Sequence, residues 1–137
     1  MKQILLRLLE RDEDPSQGLR PKDPNSRISI EDHVTYGSYL QSRYISCCKT
    51  INGIKRLRKK SRTFPQRVVK IEIDSEDPTI NEIIDLTKPE ILEQYIKKDN
   101  KEGRCYARMY EEVLIDGSVP PSCVIEITES LNDADSA

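Results

Sequence analysis

A few side chains in this sequence sit where chemistry, rather than packing, explains them. Arg7 interrupts the apolar run "ILLRLL" and shares a strand face with Leu5 and Leu9, since successive strand residues alternate in direction. A guanidinium stays charged there and needs acceptor oxygens, from an internal carboxylate or from the phosphate or carboxylate of a ligand. Ser46, in "SRYISCC", shares a face with Tyr44 and Cys48. Such a hydroxyl either satisfies local backbone or orients a neighbouring carboxylate. "YEEVLIDGSVPPSCVIEI" then sets Glu111 beside Glu112 at the mouth of an apolar run. Read as a strand, it turns Tyr110, Glu112 and Leu114 one way and Glu111, Val113 and Ile115 the other. At least one carboxylate then meets a covered surface, where it is kept by hydrogen bonds or by a chemical task. Strand parity alone does not say which. His33, in "EDHVTYGS", is the one histidine, read either as a donor lining a pocket or as an ordinary surface residue.

These residues need a scaffold, and the pattern supplies short elements. "ILLRLL" reads as a strand buried on both faces, although a Leu-rich run also suits a helix; "SRYISCC" reads as a strand, and so does "RVVKIEID", with Val69, Ile71 and Ile73 inward and Val68, Lys70, Glu72 and Asp74 outward. Ser29 and Asp32 stand at capping-box spacing before a short helix that ends near Gly37. Thr50 caps a helix through "INGIKRLRKK", with Ile51, Ile54 and Leu57 on one face. Thr87, Pro89 and Glu90 open a third helix as a capping box. "TINEIIDL" is ambiguous, and "GRCYARM" reads as a turn or short helix. The closing strands bracket "DGSVPP" around a tight turn, with Cys123, Ile125 and Ile127 on one side. The expected fold class is α+β: a compact, two-layer, mainly antiparallel split sheet with short helices.

The chain of 137 residues has the length of one domain, expected over 1–128 with a flexible acidic tail at 129–137. A net charge of −2 gives no global field toward nucleic acid or membrane. Locally, "KRLRKKSR" (Lys55 to Arg62) carries six basic residues, read as a solvated helix face or as a weak nucleic-acid contact. Nothing reads as a signal peptide or a membrane span, so a cytoplasmic location is expected, with secretion by another route left open. Cys47, Cys48, Cys105 and Cys123 form no Cys-x-x-Cys pair, and with one histidine they point to reduced thiols and no metal site.

Taken in order, Arg7, "YISCC" and "EEVLIDGSVPP" resemble the Arg–Ser–Glu branch of the ADP-ribosyltransferase superfamily across Ile4 to Ile127, "VVKIEID" being similar to its middle strand. The resemblance selects Glu112 over Glu111 as the catalytic acid. It implies NAD as substrate and a macromolecular acceptor, or hydrolysis of NAD, in a monomeric protein. Glu112 would stabilise positive charge on the ribose as the nicotinamide leaves, with Ser46 holding it. Arg7 would grip the phosphate–ribose portion, and Tyr44 or Tyr110 would cover the nicotinamide. His33 is a further pocket candidate. Cys47 and Cys48 replace a Thr and a Ser of the family pattern. Tyr110 stands where toxin-like members carry Gln or Glu, which argues against arginine as the acceptor. The rival expectation is the same fold kept as a binding module for a nucleotide, protein or nucleic acid.

Overall fold

The computed structural model describes residues 2–37, 40–61 and 66–128; the tail from 129 and Arg62 of the basic run lie outside them. The elements run β1 (Lys2–Leu8), α1 (Ile30–Tyr36), β2 (Tyr44–Cys48), α2 (Ile51–Lys60), β3 (Val68–Asp74), β4 (Ile80–Asp85), α3 (Pro89–Tyr95), α4 (Lys101–Met109), β5 (Glu112–Gly117) and β6 (Val124–Thr128). The six strands form one antiparallel sheet in the order β4-β5-β2-β1-β3-β6, so the class is α+β. β1 and β3 pair along seven residues, and β2 and β5 along five. Between β1 and β2, among the described residues, only Leu6 and Cys48 are paired, and the sheet splits there.

Alternation divides the core. One sheet face carries Leu5, Ile45, Cys47, Val69, Ile71, Val113 and Ile115, covered by Leu19 and Val119. Leu19 and Val119 lock together through reciprocal backbone bonds of 2.9 and 2.8 Å. The other face carries Tyr44, Ile84 and Leu114 against Ile30 and Val34 of α1, Leu92 of α3 and Ala107 of α4. Leu6, Cys48 and Val68 form a separate patch under Ile54 of α2. Ser46 therefore lies between two apolar clusters, on the helical side of the sheet.

Caps explain where the helices begin. Ser29 accepts from the Asp32 amide at 3.0 Å, and Thr50 accepts from the Gly53 amide at 3.3 Å. The expected cap at Thr87 does not form. Its hydroxyl and amide turn back to Asp85, at 2.5 and 3.0 Å, and α3 starts from Lys88 with no side-chain cap. This is the local competition by which Asp and Thr form turns. "GRCYARM" lies within α4, a nine-residue helix capped by Asn100, whose amide also ties α1 through Glu31 and Thr35.

Three further expectations change. β5 and β6 are not a hairpin, since β2, β1 and β3 lie between them. Pro120 and Pro121 have no N–H to give a ladder, and the segment crosses the sheet end instead. Val68 is buried rather than outward, because α2 covers that face at the end of β3. Ile51, in the first turn of α2, is 43% exposed rather than packed with Ile54.

α2 also meets the chain just before β5. A Cβ built on Gly53 would lie 2.4 Å from the Tyr110 carbonyl oxygen, so only glycine permits this approach. Alanine is worth about 1 kcal/mol over glycine in a free helix, but overpacking costs about 1–3 kcal/mol. Gly53→Ala is expected to lower the thermal midpoint, whereas Ala at the exposed neighbour Asn52 is expected to leave it unchanged or raise it. A raised midpoint for Gly53→Ala would show that the helix can move away from Tyr110.

Candidate active site

The split between β1 and β2 opens on a cleft of about 680 Å³, a size suited to a nucleotide-like molecule. Arg7, His33, Tyr44, Ser46, Tyr110 and Glu112 all line it. Each takes its place for a local reason.

Arg7 fills the split. Its Nη1 donates to the Ser46 carbonyl at 2.7 Å, across the gap where ladder bonds stop. Its Nε and Nη2 donate to the two oxygens of Glu13, at 3.2 and 2.7 Å. Glu13 is held in turn by the Glu10 amide at 2.8 Å. Burial opposes the Arg7 charge, but the Glu13 carboxylate more than offsets this, and the guanidinium's pKa is raised. Of the two readings of Arg7, the internal salt bridge is the one formed within the protein.

Glu112 is the first residue of β5 and is 8% exposed, opposite Cys48 on β2. Burial pushes its pKa up to about 7; the Ser46 hydroxyl and the Arg7 charge pull the other way without prevailing. Glu111 is not its strand neighbour. It has a left-handed φ of 47°, belongs to the turn between α4 and β5, and directs its carboxylate to the Thr50 hydroxyl. Parity therefore begins at Glu112. Tyr110 reaches the cleft from the end of α4, not from the strand.

His33 is buried in α1 between two serines. Nε2 lies 2.6 Å from Ser46 Oγ, and Nδ1 lies 2.5 Å from Ser42 Oγ. With Glu112 ionised, Ser46 donates its proton to the carboxylate. Its oxygen then accepts from His33 Nε2–H, and Nδ1 accepts from Ser42, so the network assigns the tautomer. Burial, then the Arg7 and Lys22 charges, lower the His33 pKa to about 4, so the ring is neutral at physiological pH. Tyr44 packs edge-on to the ring, 5.8 Å away. The result is a chain Ser42–His33–Ser46–Glu112 that holds one carboxylate at the cleft wall. It can place a negative charge, or a titrating proton, beside a bound molecule.

The two adjacent thiols are inert by environment. Burial pushes Cys47 up to about 12 and raises Cys48 as well, with Glu112 adding to both. All four cysteines are free. Glu13 and Ser42 are the members of the site that the sequence does not single out. The one signal for Glu13 is the need of a buried Arg7 for an acceptor, and Ser42 carries none.

No family model matches the sequence, and no curated protein does. Solved structures do match. EcPltA superposes with a TM-score of 0.59 at 16% identity, over 92% of this chain and 74% of that one. The nicked CARDS toxin superposes with a TM-score of 0.58 at 13% identity, over 91% of this chain and 24% of that one. At this identity the likeness shows the fold, which is ADP-ribosyltransferase-like.

Two buried groups in one site give opposite pH slopes. Glu112 has a folded pKa of about 7 against an ordinary 4.5, so stability is lost as pH rises through that window. His33 has about 4 against an ordinary 6.5, so stability is lost as pH falls from 6.5 toward 4. Each effect is on the order of 3 kcal/mol, and they oppose one another where the windows overlap. Glu112→Gln is expected to raise the melting temperature at pH 8 by about 5 °C or more and to uncover a steep loss below pH 6.5. His33→Gln is expected to flatten that acid-side loss. Lower melting of Glu112→Gln at pH 8 would mean that the partners of the carboxylate outweigh its burial.

Proposed function

We propose that this chain is an NAD-dependent ADP-ribosyltransferase that transfers ADP-ribose to a macromolecular acceptor, with hydrolysis of NAD as the reaction when no acceptor is present. The observation that carries the reading is the buried Glu112, held by Ser46 at the wall of a nucleotide-sized cleft. The fold likeness supports it, since the structural neighbours are ADP-ribosyltransferase toxins.

Loss of nicotinamide builds positive charge on the ribose. A carboxylate bonded to a ribose hydroxyl attracts that charge more in the transition state than in the ground state. Glu112 takes this role, and Ser46 fixes its direction. His33 stays neutral and restricts the Ser46 proton to the Glu112 side. Arg7 braces the Ser46 strand and supplies positive charge toward the dinucleotide phosphates. Tyr44 and Tyr110 offer ring faces and edges for the nicotinamide.

A second reading is a nucleotide-binding module without turnover. It is favoured by the Arg7 guanidinium, whose bonds to Glu13 and the Ser46 carbonyl leave less of it for a phosphate.

Nicotinamide release from NAD separates the readings. Wild type is expected to release it, and Glu112→Gln to lose at least about 100-fold in kcat. The pH profile of kcat/KM is expected to rise through about pH 7, where Glu112 ionises. Ser46→Ala removes a bond that lowers this pKa, so it is expected to shift the rise to higher pH. Raised melting temperature with NAD but no nicotinamide in any buffer would leave the binding module. Neither effect would end both readings.

A further inference from the structure

The basic run of α2 does not stand alone. From Ile51 to Lys60 the helix carries Lys55, Arg56, Arg58, Lys59 and Lys60 and no acid. Arg56 Nη1 donates to the Met109 carbonyl at 3.0 Å, joining α2 to the end of α4. Along this junction lies a second cleft, of about 540 Å³, lined by Arg56, Lys98, Lys101, Arg104 and Arg108 with Cys105 and Met109. Among the described residues, no carboxylate lines it. Arg104 is buried and committed to Glu93 and to the Ile96 and Lys97 carbonyls, so it is part of the wall. Arg56, Lys98, Lys101 and Arg108 are exposed; Glu93 lies near Lys98 and Arg108, and the exposed acids Asp99 and Glu102 adjoin Lys98 and Lys101 in the chain. In a protein of net charge −2, this is a local concentration of positive charge.

The same junction supplies aromatic faces. Tyr106 and Tyr110 stack at 6.1 Å with their planes 15° apart, and both line the cleft that holds Glu112. Both are only half-buried, and the Tyr106 hydroxyl is steadied by Glu102 at 2.9 Å. α4 and its C-terminal end thus carry cations toward one cleft and a stacked aromatic pair toward the other. Cations alone fit any polyanion. Cations sharing a helix with an aromatic stack fit a chain that alternates phosphates with unpaired bases.

We propose that the α2–α4 face binds single-stranded nucleic acid, with its phosphates along Arg56, Lys98, Lys101 and Arg108 and a base stacked on the Tyr106–Tyr110 pair at the cleft mouth. The strand would then be the acceptor of the transferred ADP-ribose, a step that rests on the proposed function; the binding itself does not. An acidic protein would meet the cations but make no use of the Tyr106 ring, which the proposed nicotinamide contact leaves out.

The test is fluorescence anisotropy of the full chain with labelled single-stranded DNA and RNA oligonucleotides of about 12 nucleotides, without NAD. Three or four phosphate contacts predict a slope of about −2 to −3 in log K against log salt. Lys98→Gln/Lys101→Gln/Arg108→Gln is expected to reduce the slope by about 2. Tyr106→Leu is expected to weaken binding about fivefold to a hundredfold at unchanged slope, and Tyr106→Phe, which keeps the ring, to restore it. Folding of each variant is checked by its melting temperature. The proposal is overturned if neither oligonucleotide binds at about 50 mM salt. It is equally overturned if a duplex binds as well as the strand, or if poly-L-glutamate displaces the strand as well as unlabelled oligonucleotide while Tyr106→Leu has no effect. Nicotinamide release without strand binding would remove this inference and leave the proposed function standing. Strand binding without NAD cleavage would do the reverse.

Discussion

The structure depends on one largely buried guanidinium, that of Arg7. Charge inside a protein is tolerated only when its partners are complete, and Arg7 has them: both oxygens of Glu13 and the Ser46 carbonyl. The carbonyl is the telling partner. In an unbroken sheet it would face an amide of the adjacent strand. Here the ladder between β1 and β2 is reduced to Leu6 and Cys48, and a side chain takes over the bonding. The space left by the missing ladder is the cleft. Burial keeps His33 neutral and the Arg7 charge adds to it, while Ser46 and then Arg7 draw Glu112 partway back toward ionisation.

Much of this is legible in the amino-acid order. The strand β3 announces itself by alternation and β1 by a short apolar run, and Ser29 and Thr50 mark helix starts because their chemistry is local. What is illegible is mostly non-local. The apolar stripe of α4 is interrupted by Arg104, which is buried because Glu93 and two carbonyls wait for it near the end of another helix. Val68 looks outward on a strand and is covered by α2, a fact about packing rather than period. Thr87 fails as a cap because Asp85, two residues away, competes for it. The stretch after Gly117 mimics a hairpin, and only the position of β6 at the far edge shows otherwise.

The candidate site divides in the same way. Arg7 stands out because it is charged within an apolar run, and Glu112 is separated from Glu111 by the order of motifs rather than by its own surroundings. Glu13 and Ser42 do not, because each is one polar residue in a polar loop, and nothing in its surroundings distinguishes it from its neighbours. The chain from Ser42 to Glu112 is assembled from α1, the segment before β2, β2 itself and β5. One low-dielectric space then shifts an acid and a base in opposite senses, because burial penalises the charged form of each.

Mechanically, the sheet is two three-stranded leaves. β4-β5-β2 and β1-β3-β6 are each stitched by ladders several residues long, while the seam between them is one residue pair and the reach of Arg7. Side chains supply the rest of the joint: one apolar cluster takes Leu5, Val69 and Ile71 from one leaf and Ile45, Cys47 and Val113 from the other. A molecule that competes for Arg7 or displaces Glu13 pulls directly on this seam. Arg7 thus ties the wall of the cleft to the joint between the leaves.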